Sequence, residues 1–211
     1  MRPMTPQLTS QAADTTGRQA ILDRLTLRPV RSAGLPTVDA SKLTSFEEPL
    51  AKFTEMLQSV GGEVHLVDQP DQVTEILNQI EVFSNAQRVV SLVPEAVKGS
   101  FDLSKIHDPH DLAAVDWTIA KGEFGVAENG AIWIDGSTLP HRVLLFIAQY
   151  LAIVLSRREM VHHMHEGYAR LGTPISRFGV FVAGPSKTAD IEQSLVLGAH
   201  GCRALQVFLT P

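Results

Sequence analysis

Ser186, Lys187 and Thr188 place two hydroxyls and an amine side by side, between Gly184-Pro185 and Asp190 and directly after the apolar run of residues 180–183. The run predicts a strand, and the residues after it predict a tight turn into a helix capped by Ser186 or Thr188. The free N–H groups of a first helical turn, with an amine beside them, form an anion pocket. Gly184, Ser186, Lys187, Thr188 and Asp190 are therefore candidate contacts for a small carboxylate or phosphate. An ordinary strand-to-helix connection uses the same residue types as caps. His200, in Gly198-Ala199-His200-Gly201 at the end of that helix, is a candidate contact or a helix C-cap.

Glu128-Asn129-Gly130 is the second candidate group. Residues 124–128 and 131–135 are apolar-rich and flank Asn-Gly, which predicts a hairpin with a type I′ turn. Glu128 at its tip is a candidate ligand contact or a plain turn residue. Two histidine groups carry less. His162, His163, His165 and Glu166 fall on a helix expected over 156–171, where His162 and Glu166 share a face, but the order is not that of a zinc-binding HExxH, and no metal site is assigned. His107-Asp108-Pro109-His110-Asp111 reads as a surface turn.

The elements that must position these residues alternate. A helix is expected over 17–27, a Pro- and Ser-containing linker to Ser41, then a helix opened by a Ser45–Glu48 capping box and stopped at Gly61-Gly62. A strand at 63–67, a helix at 71–83 and strands at 88–93, 114–120 and 151–155 follow. Alternation of this kind predicts an α/β protein: an open, mostly parallel sheet with helices on both faces and an inserted β-hairpin. Ligands in such sheets lie beyond the carboxyl ends of the strands, where the Gly184 loop is expected. Residues 1–41 form an N-terminal arm with a helix and linker, and residues 42–211 one domain.

Eighteen Lys and Arg against 23 Asp and Glu give a net charge of −5, which provides no field for nucleic acid. Residues 1–16 lack the apolar stretch of a secretory signal, and the longest apolar run, 143–155, is too short for a membrane span. A cytoplasmic location is expected. One cysteine, Cys202, supports no disulfide framework and is too few for an iron–sulfur cluster. No Gly-Xaa-Gly-Xaa-Xaa-Gly loop marks a dinucleotide site.

Taken together, GPSKTADIE at 184–192, GAHG at 198–201 and FGVAENGA at 124–131 resemble, in the same order, the motifs of the lactate utilization protein C family, also called the LUD domain (LutC/YkgG). The chain departs from the usual pattern at Asn129, commonly Thr, and at Cys202, commonly Pro. The resemblance implies a NagB/RpiA/CoA transferase-like fold. It also implies a role as accessory or ligand-binding subunit of an L-lactate-oxidising complex, with iron–sulfur clusters on partner subunits and no cofactor on this chain. Ala127-Glu128-Asn129-Gly130 is also similar, at three of four positions, to the turn that carries the nucleophilic glutamate of coenzyme A transferases. A stand-alone enzyme of the coenzyme A transferase or folate cyclo-ligase type, and a purely structural subunit, are the alternatives.

Overall fold

Apolar runs with no regular polar alternation need cover on both faces, and residues 151–155, with 205–209 broken only at Gln206, are such runs. In the computed structural model they are the central strands of a parallel sheet. The structure describes residues 15–27, 34, 36–39, 42–171, 178–188, 196–197 and 200–211. The chain divides into two units, Met1–Ser41 and Lys42–Pro211. In the first, helix α1 (Thr15–Thr26) exposes Ile21, Leu22 and Leu25; the arm expected over residues 1–14 lies outside the described residues.

In the second unit the order is α2 (Pro49–Ser59), β1 (Glu63–Leu66), α3 (Asp71–Asn78), α4 (Glu81–Ser84), β2 (Val89–Ser91), β3 (Trp117–Lys121), β4 (Phe124–Val126) and β5 (Ala131–Asp135). There follow α5 (Leu144–Ile147), β6 (Tyr150–Ser156), β7 (Met160–Val161), α6 (Met164–Leu171), β8 (Gly179–Val182), β9 (Lys187–Thr188), β10 (Val196–Leu197) and β11 (Ala204–Thr210). The large sheet has the order β1-β11-β6-β3-β2, every pair parallel. Trp117, Ile119, Ala152, Val154 and Phe208 face α3 and α4, whose Val73, Leu77 and Phe83 complete that core. Ala120, Leu151, Ile153, Leu205 and Val207 face the other way, onto Phe53 and Leu57 of α2 and Ile132 and Ile134 of β5.

The expected hairpin is present, and it forms the centre of a second, four-stranded sheet of order β7-β4-β5-β8. Strand β8 joins this sheet, antiparallel to β5, instead of extending the parallel one. Its connection back to β5 spans residues 136–178, a non-local pairing that no local pattern records. The outer face of the second sheet carries Phe124, Trp133 and Val161, covered by Met164 and Leu171 of α6.

Local chemistry explains several boundaries. Pro49 opens α2 at its first turn, where no N–H is needed, so the Ser45–Glu48 capping box does not form; Glu48 is the N-cap and makes no side-chain cap bond. The helix stops as expected: Gly61 at φ 87° and Gly62 donate back to Gln58 and Leu57, each at 2.9 Å, which is the paired closure of a Schellman motif. The helix expected over 71–83 is split, because Ile80 is extended (φ −86°, ψ 113°). The helix expected over 156–171 begins only at Met164, since residues 150–156 continue as strand and β7 intervenes.

Residues 127–130 form a four-residue turn, not the two-residue type I′ turn. Val126 pairs with Ala131, Gly130 N–H donates to Val126 O at 3.0 Å, and Gly130 has φ 69°. The turn is pressed onto α2: a Cβ on Gly130 would lie 2.6 Å from Leu57 N and 2.8 Å from Leu57 Cα. Gly130→Ala is expected to destabilise the protein by about 2–4 kcal/mol, from the left-handed backbone and the clash together. Gly34→Ala, with nothing within 4 Å, should stay within about 0.5 kcal/mol of wild type. Urea unfolding midpoints of the two variants check this.

Candidate functional site

At one end of the second sheet the turn after β4, the residues after β7 and the loop after β8 come together beside the C-terminal half of α2. Gly130 rests on Leu57, and one turn further along α2, Gly184 (φ 87°) rests on Val60, where a Cβ would stand 2.9 Å from Val60 O. Both predicted motifs are thus anchored to the same helix, each at a residue that only glycine satisfies.

Glu128 is the residue the turn aims. Its N–H donates to His162 O at 3.1 Å, and its Oε1 accepts from Met164 N–H at 2.7 Å. Met164 is the first residue of α6, so Glu128 supplies a carboxylate to a helix N-terminus from 36 residues away, where the helix dipole favours negative charge. Asn129 Oδ1 accepts from Ala131 N–H at 3.0 Å and closes the turn. The neighbouring histidines are bound in the same manner. His162 Nδ1 accepts from Phe46 N–H at 3.0 Å, and His163 Nδ1 accepts from Glu166 N–H at 3.2 Å, while Glu166 Oε2 accepts from His162 N–H at 2.6 Å. An Nδ1 that accepts a hydrogen bond carries no proton, so these bonds select the Nε2–H tautomers. His162 and His163 precede α6, so the shared helix face expected for His162 and Glu166 does not arise. Asp108 holds the turn at 109–114 by accepting from His110 N–H, a bond that lowers its carboxyl below the usual range; the whole group is exposed.

The Gly184 loop differs from expectation in two respects. Thr188 pairs with Val196 and Lys187 with Leu197 in an antiparallel ladder. Residues eight apart in a helix lie about 12 Å from each other, whereas paired strands lie about 5 Å apart, so no continuous helix runs from Ser186 to Leu197. Asp190 lies outside the described residues. Second, the loop sits at the amino end of the parallel sheet, not the carboxyl end. Ser186 N–H donates to Cys202 O just ahead of β11, and Pro185 and Lys187 pack over Gly61 just ahead of β1. Lys187 Nζ lies 3.7 Å from where a Gly61 Cβ would stand, beside the carbonyl end of α2, where a cation complements the dipole.

Gly184, Ser186 and His200 do meet. They line a cavity of about 240 Å³ with Cys202 and apolar side chains of α5 and β8, and among the described residues Lys187 is not part of its wall. Cys202 is buried, and burial pushes its thiol up from the ordinary value.

The carboxyl end of the parallel sheet holds a second cavity, of about 210 Å³, which the motifs did not indicate: Lys121, Ser156 and Thr210 line it from three strands, with Glu95 and Pro70 opposite. A signal was nonetheless present in the sequence. Each of the three polar residues stands two positions after a buried apolar one, Ile119, Val154 and Phe208, and so continues the same face of its strand. Among the described residues no group of three or more His, Cys, Asp and Glu is arranged to hold a metal, and no helix is long and apolar enough to cross a membrane.

The chain is 29% identical over 89 residues to Lactate utilization protein C of Geobacillus thermodenitrificans, a match covering 39% of this chain and 37% of that protein. It is 30% identical over 95 residues to Lactate utilization protein C of Shouchella clausii, covering 41% and 40%. The chain thus spans about two fifths of the length of the curated relatives it matches. A DUF162 family protein from Deinococcus radiodurans, known from its crystal structure, has the same fold: TM-score 0.58 at 18% identity, over 80% of this chain and 100% of that one. The LUD domain family model matches residues 98–210, from the segment ahead of β3 to the last residue of β11 and including all three motifs, and the chain belongs to the LUD domain family.

Proposed function

We propose that this protein is a cytoplasmic, ligand-binding accessory subunit in lactate utilization, working beside iron–sulfur subunits that oxidise L-lactate. The observation that carries this reading is the family match across the motif-bearing half of the chain, together with relatives named for lactate utilization. The chain's own residues support a non-redox role. Its one cysteine, Cys202, is buried with a raised thiol, so the electron-carrying clusters belong to partner chains, since a cluster takes four protein ligands. The test is lactate-dependent dye reduction by iron–sulfur subunits of a lactate-oxidising complex, reconstituted with and without this chain. Activity is expected to need the chain and to be absent from the chain alone; full activity without it would overturn the reading.

Glu128 separates this reading from a coenzyme A transferase. Its capping bond to Met164 N–H holds the ionised carboxylate as a structural anchor, and acylation would neutralise the anion at the start of α6. Incubation with acetyl-CoA is therefore expected to leave the intact mass unchanged, and a Glu128-dependent adduct would promote the transferase. Glu128→Ala should cost about 1–3 kcal/mol in urea unfolding and Glu128→Gln, which keeps an acceptor, less than about 1 kcal/mol.

Cys202 offers a simpler check. A buried thiol with a raised pKa is mostly un-ionised at neutral pH and shielded from reagents. Iodoacetamide at pH 7.5 should label the native chain far more slowly than the urea-unfolded chain, and equal rates would remove the argument from burial.

A further inference from the structure

We propose that the cavity at the carboxyl end of the parallel sheet is the ligand site, and that it takes a small 2-hydroxy carboxylate, the carboxylate on Lys121 and the hydroxyl on Glu95. The proposal deepens the lactate-utilization reading and rests on it for the choice of lactate as probe.

Position supports it first. In open parallel sheets ligands lie beyond the carboxyl strand ends, and here the Gly184 loop occupies the opposite end. The register brings the polar residues to one place: Lys121 stands beside Val154, and Thr210 beside Ser156. All three continue the strand faces that bury Ile119, Val154 and Phe208 against α3 and α4.

Charge is the second support. Lys121 and Glu95 are both exposed and line the same cavity, yet they form no ion pair within 4 Å, and neither has another partner among the described residues. Arg157 at the same edge is already tied to Asp68 at 3.2 Å. A cation and an anion that face one small space without meeting fit a molecule bearing an acceptor for one and a donor for the other. The single Lys can meet one carboxylate, whereas a phosphate dianion would add a second negative charge beside Glu95. Pro70, Val93, Ala96 and Val154 supply an apolar floor for a short alkyl group, and a volume of about 210 Å³ excludes large ligands.

Thermal unfolding of the full chain, titrated with L-lactate, propionate and inorganic phosphate, tests the assignment. L-lactate should raise the transition temperature saturably, as binding to the folded state requires. Propionate, which lacks the hydroxyl, should bind roughly tenfold more weakly or worse. Lys121→Gln should weaken lactate binding by roughly ten- to a hundredfold, and Glu95→Gln should reduce lactate to the level of propionate. Both positions are exposed, so both variants fold, and Lys105→Gln serves as a control for total charge. No saturable lactate shift, an undiminished shift in Lys121→Gln, or phosphate binding as tightly as lactate would each overturn the site. A chain that supports lactate-dependent dye reduction yet shows no lactate shift removes the cavity assignment alone. A chain that binds lactate through Lys121 yet restores no dye reduction removes the functional reading alone.

Discussion

The contact on which the second unit depends is that of two glycines against one helix. Gly130 and Gly184 bring backbone to within van der Waals distance of Leu57 and Val60, and a methyl group at either place would overlap α2. Gly125 repeats the device against the Phe53 ring, where a Cβ would stand 2.9 Å from Cε2. Helix α2 in turn reaches the parallel sheet through Phe53 and Leu57, both fully buried. The four-stranded sheet, α2 and the parallel sheet therefore share one core, and the spacing between them is set by positions where no side chain fits. The family motifs are largely the trace of this packing, because a Gly beside Glu128 and a Gly ahead of Ser186 are what the approach demands.

Polar residues beside those glycines then become connectors. Glu128, His162, His163 and Glu166 satisfy backbone N–H groups of Met164, Phe46, Glu166 and His162. The start of a helix and a strand-end segment would otherwise leave such donors unpaired in a half-buried place, at a cost of about 1–3 kcal/mol each. Two candidate groups that lie apart in the sequence are thus joined by their bonds to backbone donors.

How much was legible in the sequence follows from the range of each determinant. Strand β6 is marked by five consecutive apolar residues, 151–155, strand β11 by apolar residues broken only at Gln206, and the end of α2 by two glycines; these signals are local, and the structure agrees with them. The break at Ile80 and the late start of α6 at Met164 turn on whether a few residues extend as strand or coil as helix, and neighbouring chain decides that. The second sheet was visible only as its central hairpin, because β8 finds β5 across more than 40 residues, and four apolar residues fit a parallel sheet equally well. The sequence motifs located Gly184, Ser186 and His200 as a group, and the structure places them along one cavity. It does not bring Lys187 to that cavity, because the ladder with Leu197 turns this segment toward Gly61.

The two ends of the parallel sheet consequently differ in kind. At the amino end, α2, the Gly184 loop and the turn at Glu128 pack against one another around their glycines, and Glu128, His162, His163 and Glu166 are engaged with backbone donors. At the carboxyl end, the alternation that buries Ile119, Val154 and Phe208 runs one step further to Lys121, Ser156 and Thr210, where the apolar cover of α3 gives out at Pro70. A strand buried on both faces presents polar side chains only where its cover ends, so the register that builds the core also sets their spacing at the rim. Three neighbouring strands ending in step on the same face thereby bring an amine and two hydroxyls to one opening without any loop motif. That is why this opening is defined by strand periodicity, and why a search for contiguous motifs leads instead to the packing glycines at the opposite end.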